Sequence, residues 1–356
     1  METGIVEGFF GRPWLFTDRK SIVMFVKEVG FDTYIYAPKD DPFHRAHWRR
    51  LYPVDMMKNF EKLIRLCKAL DIDFNFAISP GLSIRYGDDN DFHRLCIKYD
   101  QMIDLGVSSF SLFLDDINPR LSREDLQIFA SLSAAQIFVT NKIYQYLKIK
   151  IPNLKFYFCP TEYCGIQSSP YLTYIGKHLL PKIKIFWTGP SVVSKIITTK
   201  DAQKISHIIR RKPLLWDNYP VNDYAPCRLF LGPLRGRDKS LIHHLSGIFF
   251  NPMNQAEASK IALTSCAIYV RAPQVYFPDR IWPLLTRSHV KSNKGEIFFE
   301  NFQSSIIYPK PSLLTKIIKA QITIFKKRKE VILQKLSKMA QEIKLLRLNL
   351  FEPNLH

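Results

Sequence analysis

The strongest constraint on this chain is a recurrence. Short apolar runs return every ~30 to 45 residues, and the segments between them carry helical patterning. The runs are Gly4–Glu7, Thr33–Tyr36, Phe74–Ile78, Phe110–Leu114, Phe156–Phe158, Ile185–Trp187, Leu214–Trp216 and Gly247–Phe250. They are near-continuous rather than alternating, as expected of parallel strands covered on both faces. Between them, Ser21–Glu28, Val54–Leu70, Asp91–Leu105 and Arg123–Leu147 place apolar residues near a 3.6 period. No polar linker divides residues 1–285. Eight β-α repeats of this kind predict the α/β class and a (β/α)8 TIM barrel.

In such a barrel the chemistry gathers where strands end, because the C-terminal face is built from the βα loops. The fourth run leads directly into Asp115-Asp116-Ile117. Two adjacent carboxylates at the end of a buried strand are costly unless water, a ligand or a partner meets them. A helix cap or a lysine partner would be the ordinary use of either acid alone. The other exits are just as polar and aromatic. Strand one leaves into Glu7-Gly8-Phe9-Phe10-Gly11-Arg12-Pro13-Trp14, strand two into Ala37-Pro38-Lys39-Asp40-Asp41, and strand three into Ser79-Pro80-Gly81. Strand five gives Cys159-Pro160-Thr161-Glu162-Tyr163-Cys164-Gly165, strand six Trp187-Thr188-Gly189-Pro190, strand seven Trp216-Asp217-Asn218 and strand eight Asn251-Pro252. Eight exits that converge on polar groups with Trp or Tyr suit a carbohydrate: aromatics cover the CH faces of a sugar, and carboxylates and amides take its hydroxyls.

The net charge of +19 invites a nucleic-acid reading, but about half the excess lies in one place. Between Lys310 and Leu350 eleven Lys or Arg face two Glu, a net of +9. The remainder is spread out and carries no nucleic-acid-binding signature, so the basicity reads as a solvated face. Six scattered cysteines without a CxxC pair indicate reduced thiols rather than a zinc site or a disulfide framework. The N-terminus lacks the basic-then-apolar pattern of a secretory signal, and no run of about 18 apolar residues occurs. A cytoplasmic enzyme is the expectation.

Taken in order, these exit motifs, together with Tyr36-Ala37-Pro38-Lys39-Asp40-Asp41 and Asn222-Asp223, resemble the motif series of glycoside hydrolase family 84, closest to its O-GlcNAcase branch. The resemblance runs over residues 4–270 or so. It implies a β-N-acetylglucosaminidase that needs no cofactor or metal and retains anomeric configuration by substrate assistance. The sugar's own 2-acetamido oxygen then attacks the anomeric carbon to give an oxazoline, an exception to the two-carboxylate scheme. On this resemblance Asp115 orients the acetamido N–H, Asp116 is the general acid and then base, and Tyr163 hydrogen-bonds the acetamido oxygen. Cys159 and Trp216 would line the acetamido methyl pocket. Gly8 (through its backbone), Lys39, Asn218, Asp223 and Asn251 would contact the rest of the sugar. Phe10 departs from the tyrosine expected in many relatives, so one phenol contact is lost. Substrates would be O-GlcNAc-modified proteins or other β-GlcNAc conjugates, with no nucleic acid and no membrane span. A non-catalytic sugar-binding module is the alternative, and retention of both acids and Tyr163 argues against it. A metal-dependent hydrolase lacks the expected His cluster.

Beyond the barrel (1–286), Arg287–Pro311 has no clear period and predicts a linker. Ile318, Ile322, Phe325, Ile332, Leu336, Met339, Ile343, Leu346 and Leu350 then fall at alternating three- and four-residue steps, with Lys329 the one break. That stripe predicts a helix over 312–350, either packed on the barrel's flank or forming a homodimer contact.

Overall fold

The structure, a computed structural model, describes residues 1–226 and 228–289. Eight parallel strands close into a barrel in sequence order: β1 (Glu2–Glu7), β2 (Thr33–Tyr36), β3 (Asp73–Ile78), β4 (Ser109–Phe113), β5 (Lys155–Cys159), β6 (Lys184–Trp187), β7 (Leu214–Asp217) and β8 (Gly247–Phe250). Closure is made by β1 on β8, in register from Glu2 opposite Gly247 to Ile5 opposite Phe250. The helices are α1 (Phe16–Glu28), α2 (Val54–Ala69), α3 (Asp89–Ile103), α4 (Leu132–Lys150), α5 (Pro170–His178), α6 (Thr199–Ile209), α7 (Ala256–Arg271) and α8 (Pro278–His289). The (β/α)8 barrel read from the sequence is therefore the fold.

The apolar strands serve two cores at once, which is why they do not alternate with polar residues. One set of side chains fills the barrel interior, with Phe113, Tyr157, Phe186, Trp216 and Phe249 packed together. The other set, with Tyr34, Phe76, Phe110 and Phe158 among it, packs outward under the helices. Neighbouring residues of a strand point to opposite faces, so Leu112 enters the outer core and Phe113 the inner one.

Element boundaries moved where local polar chemistry competes with periodicity. The single helix expected over Arg123–Leu147 is divided into a 3-10 turn at Asp125–Gln127 and α4. Ser131 is the reason: its backbone is extended and its side chain accepts from the Ala134 N–H, so it caps a new helix. Asp125 in that turn is buried and accepts from the Gly87 N–H at 3.0 Å, which ties the turn to the loop before α3. Helix α1 starts earlier than its apolar period suggested, because Asp18 accepts from the Leu15 N–H at 2.9 Å. Helix α8 runs to His289, slightly past the expected end of the barrel. The rest of the expected linker (287–311) and the helix expected over 312–350, with its dimer contact, lie outside the described residues, as does Cys227. The other five cysteines are free. Among the described residues no helix is long and apolar enough to cross a membrane.

Candidate active site

At the C-terminal mouth of the barrel a cavity of about 390 Å³ is lined by all ten residues picked from the sequence: Gly8, Lys39, Asp115, Asp116, Cys159, Tyr163, Trp216, Asn218, Asp223 and Asn251. They come from six of the eight strand exits, brought to one place by barrel closure.

The two acids follow β4 but do not share a conformation. Leu114 N–H still bonds to the Cys159 carbonyl of β5 at 2.9 Å, which prolongs the ladder past the strand. At Asp116 the backbone turns left-handed, with φ at +52°. In an extended strand consecutive side chains diverge, and this turn lets both carboxylates face one cavity. Aspartate tolerates the left-handed region better than most residues. The surroundings of the pair also differ, with the Asp115 side chain 6% exposed and that of Asp116 34%. Lys39 Nζ donates to Asp115 Oδ2 and lies 3.9 Å from Asp116 Oδ2. The other oxygen, Asp115 Oδ1, is buried and has no hydrogen-bond partner among the described residues. A buried carboxylate oxygen left open in this way is costly unless a donor arrives with a ligand.

Tyr163 OH donates to Asp116 Oδ1 at 2.6 Å. Burial and then the Asp116 carboxylate push the phenol well above its ordinary range, so it remains a donor. Cys159 is fully buried at the floor; burial, then Asp115, raises its thiol, which therefore acts as a small apolar surface. Trp216 forms the base of the cavity, its ring 5.3 Å from Phe113 and 5.5 Å from Phe186. A polar chain crosses this floor: Trp216 Nε1 and Asn251 Nδ2 both donate to Asn218 Oδ1 at 2.9 Å, and Asn251 Oδ1 accepts from the Gly8 N–H at 3.2 Å. Asp223 closes the far side, accepting from the backbone N–H groups of Phe10 and Tyr224, each at 2.8 Å; burial raises its carboxyl above the ordinary value.

Thr188, Val192, Val193, Val221 and Tyr224 also line the cavity and were not singled out in the sequence. Thr188 stood inside a quoted motif, but the other four are loop residues without period or charge. Val192, Val193 and Tyr224 are exposed at the rim, as is Phe10, the position where a tyrosine was expected.

Comparison with known proteins agrees with this geometry. Residues 3–300 match the beta-N-acetylglucosaminidase family model, NAGidase. The chain belongs to that family. Within the β-N-acetylglucosaminidase family it is 42% identical over 275 residues to Protein O-GlcNAcase of Rattus norvegicus and to that of Mus musculus. Those matches take in 76% of this chain and 30% of each relative, so the chain spans about a third of the length of these curated relatives. The structure also superposes on a point variant of the Thermobaculum terrenum O-GlcNAc hydrolase with a TM-score of 0.83 and 32% identity, covering 99% of this chain and 78% of that one. This β-N-acetylglucosaminidase-family barrel is thus O-GlcNAcase-like, and the family is one of glycoside hydrolases.

Proposed function

We propose that the protein is a retaining β-N-acetylglucosaminidase that removes O-linked GlcNAc from Ser or Thr of proteins through an oxazoline intermediate. The observation that carries this reading is the open oxygen of Asp115: buried, without a partner among the described residues, and set in the cavity beside the Asp116–Tyr163 pair. A 2-acetamido N–H is the donor such an oxygen lacks. The volume suits one sugar ring, being at the small end of ligand pockets.

In the first step the acetamido oxygen forms a bond to the anomeric carbon while the bond from that carbon to the leaving oxygen breaks. Asp116 gives its proton to the departing oxygen, and Asp115 holds and polarises the acetamido N–H. Tyr163 turns its hydroxyl from Asp116 to the acetamido oxygen, steadying it as the ring closes. In the second step Asp116, now a carboxylate, takes a proton from water; the new hydroxide oxygen bonds to the anomeric carbon and the oxazoline opens. Attack from alternate faces leaves the product with the β configuration. Cys159 and Trp216 present apolar surface to the acetamido methyl. On the same reading Gly8 (through its backbone), Lys39, Asn218, Asp223 and Asn251 contact the rest of the sugar.

The test is hydrolysis of an O-GlcNAc peptide beside a GlcNAc oligosaccharide, with the first-formed anomer followed by proton NMR. Faster release from the peptide with β-GlcNAc appearing first is expected. Initial α-GlcNAc would overturn the retaining mechanism, and preference for the oligosaccharide would overturn the substrate.

A further inference from the structure

At the left-handed turn the Asp116 carbonyl receives no backbone N–H among the described residues, and the side chain that meets it was not singled out in the sequence. Arg45 Nη2 donates to the Asp116 carbonyl at 2.7 Å. Arg45 is only 5% exposed, its Nη1 has no hydrogen-bond partner among the described residues, and its guanidinium lies 5.5 Å from the Phe10 ring centroid. A buried guanidinium with one of its nitrogens unpartnered is an expensive arrangement for ordinary scaffolding. We infer that Arg45 is a positioning residue that holds Asp116 in the turned conformation from which its carboxyl reaches the leaving oxygen; this rests on the role proposed above for Asp116.

Magnitudes make the inference reasonable. The left-handed region is disfavoured for a non-glycine residue, less for aspartate than for most, so a compensating contact still weighs in holding it there. A hydrogen bond from a charged donor is a compensation of comparable size. Removing the donor therefore shifts the balance toward conformers in which Asp116 faces elsewhere. No other described side chain donates to that carbonyl. The arrangement also couples the two acids, because Lys39 and Arg45 belong to the same β2–α2 loop. That loop is pinned to β3 by the Ser79 N–H on the His44 carbonyl at 3.0 Å and by His44 Nδ1 on the Ala77 carbonyl at 2.9 Å. One loop thus supplies the cation for the Asp115 carboxylate and the donor for the Asp116 backbone.

The experiment compares Arg45→Met and Arg45→Lys with Asp116→Asn on two β-GlcNAc substrates, one with an activated phenol leaving group and one with a Ser-like alkyl group. The value of kcat/KM isolates the first step. Arg45→Met should lower kcat/KM for the alkyl glycoside at least tenfold and for the phenol glycoside less than threefold. Inhibition by free N-acetylglucosamine should change less than threefold, since Arg45 does not line the sugar cavity. Arg45→Lys keeps a cation and one donor nitrogen without the planar fork and should fall between wild type and Arg45→Met; if Arg45→Met fails to fold, Arg45→Lys carries the test with the same ordering. A loss equal for both leaving groups, or a proportionate weakening of N-acetylglucosamine inhibition, would mean that Arg45 is merely structural. If Asp116→Asn itself shows no leaving-group dependence, the acid assignment fails. If Asp116→Asn shows it and the Arg45 variants do not, only the positioning role fails.

Discussion

Gly8→Ala is the smallest change that tests how the floor of the cavity is built. A Cβ at Gly8 would lie 2.2 Å from Trp216 Cζ2 and 2.6 Å from Cη2. Ordinary contact begins near 3.4 Å, so the indole would have to retreat by about 1 Å. It has little room, because Phe113 and Phe186 stand against it and Asn218 holds its Nε1 at 2.9 Å. Overpacking of this kind costs about 1–3 kcal/mol. For a domain of this size that corresponds to a fall in Tm of roughly 2–10 °C. The easier escape for the indole is toward the open cavity, where it would narrow the place proposed for the acetamido methyl. We therefore expect kcat/KM to fall by roughly 10- to 100-fold, the equivalent of about 1.4–2.8 kcal/mol in the transition state. Thermal melts and steady-state rates with an activated aryl β-GlcNAc substrate measure both quantities. A variant with Tm within 1 °C of wild type and kcat/KM within about twofold would refute the reasoning, since the indole would then be free to yield.

Four further outcomes are expected. Asp116→Asn should keep much of its rate on phenol glycosides and lose about 10²–10⁴-fold on alkyl glycosides, whereas Asp115→Asn and Tyr163→Phe should slow both classes; rates for two substrates on three variants decide this. Arg237→Met should destabilise the barrel by about 3–5 kcal/mol, because Arg237 makes two bonds of 2.7 Å to the buried Asp217 and its loss leaves that charge unpaired; adding Asp217→Asn should restore part of the melting temperature. Burial, reinforced by the Lys39 and Arg45 cations, holds the His44 imidazole down at about 4 against an ordinary 6.5, so its contribution to stability is full above pH 6.5 and is lost as pH falls toward 4, by up to about 3 kcal/mol; His44→Asn should flatten the acid side of the stability profile measured by denaturant melts. The segment 312–350 should make the chain a homodimer at micromolar concentration, and a monomeric mass by light scattering would count against it.

The barrel was legible because its strands are covered on both faces, and the apolar runs that result are visible without any alignment. The acid pair was legible for the opposite reason: charge stands out at the end of a run such as Phe110–Leu114. Lys39 shows how far a lone residue misleads, since alone it reads as a surface amine, yet it is 4% exposed and donates to Asp115. Arg45 carried no signal at all, because an arginine in a loop looks the same whether it meets water or a backbone carbonyl. Val192, Val193 and Tyr224 stayed hidden likewise, as exposed apolar loop residues obey no period. The break before α4 was missed because apolar spacing continues across it, and only the capping geometry of Ser131 shows where one helix ends and the next begins.

The left-handed backbone at Asp116 restricts which amino acids that position can accept at little cost. Glycine enters this region freely and asparagine and aspartate at less cost than other residues, while alanine, glutamate and serine enter it with more strain. An alanine there would remove the carboxyl and disturb the turn together, so its kinetics would mix two losses; asparagine removes the charge and leaves the backbone at ease. The same restriction bears on drift. A descendant that lost catalysis but still folded would most easily carry Asn or Gly after Asp115, so one codon would separate a working barrel from one that only holds its sugar.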